Sequence, residues 1–143
     1  MIVTSVVAMY VLMYLNTYQL GHVYWSQTRA WMAIYMGAAM AVIMLAYMLG
    51  MYRRRAVNIA IFAISALAFG ASLYLLRSQK TVDDIAWMKA MIPHHSIAIL
   101  TSERARITDP RVRELADQII ATQLREIDEM KALIADIEGR RPD

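Results

Sequence analysis

The stretch Trp87-Met88-Lys89-Ala90-Met91-Ile92-Pro93-His94-His95-Ser96-Ile97-Ala98-Ile99-Leu100 holds two of the chain's three histidines. Two methionines stand upstream of the pair at helical spacing. Thioether and imidazole are the side chains that suit soft or borderline metals. A capping pattern precedes this stretch: Thr81 as cap and Asp84 three residues on. A helix is therefore expected from Thr81 to about Ile107. Pro93 inside it removes one backbone hydrogen bond, frees the carbonyl of Lys89 and is expected to kink the helix. Asp109-Pro110 then reads as cap and first helical residue of a second helix. That helix is expected to run to about Glu138, with Gly139 as the stop. Its apolar face reads Val112, Leu115, Ile119, Ile120, Ile127, Met130, Leu133, Ile134 and Ile137. Two helices on a tight turn make an antiparallel hairpin. So small a hairpin buries little surface alone, so a second copy or the rest of the chain is expected to cover it.

Upstream the character of the chain changes. None of the twelve acids precedes Asp83, and the first 80 residues carry only Arg29, Arg53, Arg54, Arg55, Arg77 and Lys80 as bases. Hydrophobic residues make up 59% of the chain, above the ordinary globular share. Three membrane helices are expected: Ile2 to Leu20, Ala30 to Tyr52 and Ala56 to Leu76. The last two are long enough to cross about 30 Å of hydrocarbon. Residues 1–80 thus read as a membrane domain and 81–143 as a hairpin domain. Arginine-rich loops stay cytoplasmic, so Arg53–Arg55 place the amino terminus inside and the hairpin outside. In a bacterium that is an inner-membrane protein with a periplasmic domain.

Other classes fall away. The tail sets nine bases against twelve acids and offers no basic patch for nucleic acid. With no cysteine there is no disulfide, thiolate zinc site or thiol nucleophile. Ser96 follows the histidines without an acid beside it, so no triad is read and no enzyme is expected. The Glu-x-x-His motif of bundle di-iron sites is absent.

In an antiparallel hairpin turning near Asp109, facing residues sum to about 218. His95 then faces Gln123, Met91 faces Glu126 and Met88 faces Met130. Met88, Met91 and His95 share one helical stripe, as do Gln123, Glu126 and Met130. Sulfur with imidazole favours Cu(I) or Ag(I), and the carboxylate admits Cu(II) or Zn(II). Adjacent histidines point about 100° apart on a helix, so one is expected to bind and the other to orient or face a partner. The bland alternative is that the methionines fill the hairpin core and Glu126 is solvated. In the second span Met32, Met36, Met40, Met44 and Met48 recur every fourth residue. Packing or lipid contact is the favoured reading, a Cu(I) conduit the other. Ala33, Gly37 and Ala41, with Ala66 and Gly70, read as close-packing positions. His22 lies on the outer side, within reach of the His-His helix, and reads as an interfacial histidine.

Met91-Ile-Pro-His-His95-Ser, Ala98-Ile99, Leu115-Ala116, Ile119-Ile120, Gln123, Glu126-Ile127 and Met130 together resemble the signature of the domain of unknown function 305 family. The likeness spans about Trp87 to Ile137, in order and in spacing. It implies a ferritin-like helical bundle and, for periplasmic members, association with copper or silver. The family-like ligand positions are Met91, His94, His95, Glu126 and Met130. Thr101 stands where relatives often have a further methionine. A single copy of the domain implies a homodimer or docking on a membrane partner. The three preceding spans resemble a membrane-anchored branch. The expected function is copper-type metal binding for buffering, delivery or tolerance, with an assembly module as the alternative.

Overall fold

A computed structural model describes residues 1–140. Five α-helices and no strand occur among them: α1 (Ile2–Leu12), α2 (Gln27–Met48), α3 (Arg55–Ser78), α4 (Asp84–Arg104) and α5 (Pro110–Gly139), with a 3-10 turn at Leu20–His22. The chain divides into two compact units, and the division does not follow chain order. Met1–Met13 and Gln27–Thr81 form the first; Tyr14–Ser26 and Val82–Asp143 form the second.

In the first unit α1 and α3 both pack on α2. Helices α2 and α3, of 22 and 24 residues, are long and apolar enough to cross a membrane. At 1.5 Å per residue they span about 33 and 36 Å. The expected first span, Ile2 to Leu20, is not one. Helix α1 has 11 residues, about 16 Å, and ends at Leu12. The polar run Asn16-Thr17 and Gln19 follows, where Thr17 turns its hydroxyl to the Tyr14 carbonyl instead of continuing the helix. The Arg29 guanidinium donates to the Met13 carbonyl and satisfies one of the helix's end groups. Two candidate spans, not three, remain.

Gly37 packs on α1. A Cβ there would lie 2.1 Å from a methyl of Val6. Gly70, by contrast, has nothing within 4 Å, and Ala66 is exposed. The expected close-packing stripe on α3 is therefore an open face. The buried positions on α3 are instead Asn58, Ser65 and Ser72, seven residues apart. Asn58 donates to the Tyr52 carbonyl and Ser72 bonds back to Ala68 and Phe69, so small polar side chains satisfied on backbone fill this seam. The five methionines of α2 are all half-buried.

In the second unit α4 and α5 pack on each other and run in opposite directions. Lys89 pairs with Glu138, His95 lies by Glu126, and Arg113 donates to the Ser102 carbonyl. Helix α4 begins one turn element later than expected. Asp83, not Thr81, is the cap, accepting the Ala86 N–H at 2.7 Å. Asp109 caps α5 as read, accepting the Arg111 N–H, with Pro110 first in the helix. Helix α4 continues through Pro93, which is buried. The core between the helices is Ile85, Met88, Ile92, Ile99, Ile127, Met130 and Ile134.

Residues Tyr14–Ser26 belong to this unit as a strap laid over α4. Tyr18 and Tyr24 pack against the core. Leu20 and Gly21 are exposed, but His22 turns inward and is 3% exposed.

Candidate functional site

Helices α4 and α5 leave a cavity of about 430 Å³ lined by Trp87, Met88, Met91, His95, Glu126, Glu129, Met130 and Leu133. Five of the six expected site residues thus meet there. His94 does not: its side chain is exposed, and its ring centre lies 6.4 Å from that of His95 at 45°. The cause is the helical 100° step, which Pro93 leaves intact. Met88 and Met130 line the cavity from within the core, while Met91 is half-buried. The packing reading of these methionines and the ligand reading therefore share the same side chains.

Met88 with Met130 and Met91 with Glu126 line the same cavity, in keeping with the expected sum of 218, and His95 departs from it. His95 Nε2 lies 3.8 Å from Glu126 Oε2, so His95 faces Glu126 rather than Gln123. That distance exceeds a hydrogen bond. Gln123 Nε2 donates to the same carboxylate oxygen at 3.4 Å. The carboxylate is half-exposed and sits between imidazole and amide.

Burial holds the His95 imidazole below the usual histidine range; the Glu126 charge opposes this and His94 adds to it. At neutral pH the ring is uncharged, so the His95–Glu126 contact is no ion pair. An uncharged imidazole keeps one nitrogen lone pair for a ligand. His95 Nδ1 and Gln123 Oε1 are buried without hydrogen-bond partners. Such orphans are uncommon in folded proteins and mark places where a water or ion is to be sought.

Among the described residues no group of three or more His, Cys, Asp or Glu side chains converges to hold a metal. A hard-ligand cage, such as zinc or calcium would want, is thus not formed from those types. The donors within the cavity are three thioethers, one imidazole and two carboxylates, a set weighted to soft ions. Thr101, where a further methionine was expected of the family pattern, spends its hydroxyl on the Ile97 and Ala98 carbonyls.

Ser96 points away from this cavity in function and in contacts. It is fully buried, accepts the Tyr18 N–H at 2.8 Å, and lies 3.0 Å from His22 Nδ1. A serine–histidine contact thus exists, at a hydroxyl that is fully buried. Sequence reasoning placed His22 outside and within reach of α4 but did not assign it this bond. It left Glu129 out of the site and read Leu133 only as part of the α5 apolar face.

Residues 75–142 match the family described as "Domain of unknown function (DUF305)". This part of the chain is a DUF305 domain. The helices α4 and α5, with every cavity residue, lie inside the match; α1, α2 and the strap lie outside it. The chain is also similar to "Uncharacterized protein L153" of Acanthamoeba polyphaga mimivirus, 42% identical over 64 residues. That likeness covers 43% of this chain and 42% of the relative, so the chain spans less than half the length of the curated protein it matches. No solved structure matches the chain.

Proposed function

We propose that the protein is membrane-anchored and that its DUF305 domain binds copper-type soft metal ions without catalysis, buffering or delivering them. The cavity between α4 and α5 carries this reading. It gathers Met88, Met91 and Met130 around an uncharged His95 whose Nδ1 has no partner. Glu126 supplies negative charge beside them, and Cu(I) or Ag(I) is the cargo the donor chemistry fits. Cu(II) and zinc rank lower, because the cavity offers one histidine rather than two or three.

Helices α2 and α3 form the anchor in this reading. The chain enters α2 and leaves α3 at the same end, opposite Arg53–Arg55. Those arginines assign the joining loop to the cytoplasm. The DUF305 domain then faces the periplasm of a bacterium or the equivalent compartment. A second copy covers the exposed apolar residues Leu115, Ile119 and Leu133 of α5 and completes a ferritin-like four-helix bundle.

Titration of the full chain in detergent with Ag(I) tests the metal reading. Wild type is expected to bind one ion per cavity, and His95→Ala together with Met91→Leu to weaken binding at least about a hundredfold, the upper end of what losing even a ligand-orienting partner costs. Equal and weak binding by wild type and by the His94→Ala/His95→Ala variant removes the idea. It leaves the DUF305 domain as an assembly module, for which metal-independent dimers are the mark.

A further inference from the structure

Residues 14–26, between α1 and α2, contain one short 3-10 helix and no α-helix, yet they cover α4. Three bonds hold them. Ser96 Oγ accepts the Tyr18 N–H at 2.8 Å and lies 3.0 Å from His22 Nδ1. The Tyr18 hydroxyl donates to Glu103 Oε1 at 3.3 Å, at the surface. Within the strap, Ser26 N–H donates to the Tyr14 hydroxyl at 3.1 Å. The first two meet on a single hydroxyl that is fully buried. From this geometry we propose that residues 14–26 form an acid-released strap, held on α4 by the His22–Ser96 bond and let go when His22 is protonated.

The chemistry follows from hydrogen-bond roles. The Ser96 oxygen already accepts the Tyr18 N–H, so its own O–H is available to donate to Nδ1 of a neutral His22. Protonation turns Nδ1 into a donor. The serine hydrogen must then turn elsewhere, and a cation is left in a site 3% exposed to water. Burying an unpaired charge is costly.

The groups acting on His22 come from every side. Burial disfavours its charged form most; Lys131 on α5 acts in the same sense, and Asp128 on α5 opposes both. From α4 the neighbours of Ser96 are His95, uncharged at neutral pH, and exposed His94. The strap adds only the phenols of Tyr14, Tyr18 and Tyr24, and the bond to Glu103 raises the Tyr18 phenol further. His22 is therefore the strap's group that changes charge near neutrality. Its folded value is depressed, so its contribution is fully present above the ordinary histidine value of about 6.5 and is lost as pH falls through it toward the folded value. The strap tethers the DUF305 domain to α1 and α2 at a second place besides the α3–α4 connection. Its release leaves one covalent tether and uncovers Ser96.

Hydrogen exchange of the full chain in detergent, read by segment at pH 7.5 and 5.0 and corrected for intrinsic rates, tests this. Exchange within residues 14–26 is expected to rise about threefold or more at the lower pH, with α5 unchanged. His22→Gln keeps a hydrogen-bonding side chain but does not titrate, so its strap is expected to exchange equally at both values. Ser96→Ala is expected to give fast strap exchange at both. Strap protection that is the same at both pH values in wild type overturns the proposal. So does a pH effect that persists in His22→Gln, or one accompanied by parallel loss of protection in α5.

Discussion

His95 shows how burial sets chemistry at a single residue. Its ring lies among Met88, Met91 and Met130, where the charged form is poorly solvated, and the nearby Glu126 carboxylate recovers part of that loss. The neutral ring is the form that ligates metal. Its stability contribution follows the depressed-value rule. It is complete above about 6.5 and fades as pH falls through the folded value. Imidazole resonances followed by NMR are expected to place the His95 pKa below the ordinary histidine value of about 6.5. Glu126→Gln removes the charge that raises the value and is expected to move His95 lower still; an upward move or none contradicts the assignment. Silver affinity is expected to hold between pH 7.5 and 6.5 and then to weaken about tenfold per pH unit below the folded value, as a proton competes for the same lone pair.

Among the elements, α2 and α3 answer differently to the same substitution. Gly37 lets α1 come down on α2, and an added Cβ meets Val6 at 2.1 Å. Gly37→Ala is expected to cost about 1–3 kcal/mol in detergent unfolding, the usual range for overpacking. Val6→Ala in the same chain is expected to recover most of it, since it removes the methyl that clashes. Gly70 has open space around it, so Gly70→Ala is expected to be neutral or to stabilise α3 by up to about 1 kcal/mol through helix propensity. Equal penalties at both glycines would mean that α1 does not sit on α2.

For the whole molecule, the unit that holds α4 and α5 also takes in residues 14–26, which lie outside the DUF305 match. Tyr18 and Tyr24 of the strap pack on the core of α4 and α5, and Ser96 has its polar partners there. A chain restricted to residues 82–143 uncovers that surface and leaves a buried hydroxyl without partners. It is expected to melt at a lower temperature than the same helices in the full chain. A synthetic peptide of residues 14–26 added at pH 7.5 is expected to raise its Tm, by linkage to binding. No rise at any peptide concentration would show that the strap adds nothing to these helices.

Much of this was legible along the chain, because it depends on neighbours in sequence. The Asp109-Pro110 start, the Gly139 end and the apolar face of α5 follow from capping and the 3.6-residue period. So do the two long uncharged spans and the stripe of Met88, Met91 and His95. Facing residues across the turn were placed within about one helical turn: Met88 and Met130 share the cavity, while His95 meets Glu126 instead of Gln123. What the sequence could not supply concerns atoms far apart along it. The apolar run from Ile2 reads as a span, because hydropathy does not reveal that Arg29 closes α1 at Met13. Ala66 and Gly70 read as packing residues, but helix rotation chose Asn58, Ser65 and Ser72. His22 and Ser96 are 74 positions apart, and no periodicity links them. By itself the sequence determined the four longer helices, the cap of α5 and the residue types at the cavity. Only the tertiary structure decided which face each helix buries, since burial is settled by whatever the chain brings alongside.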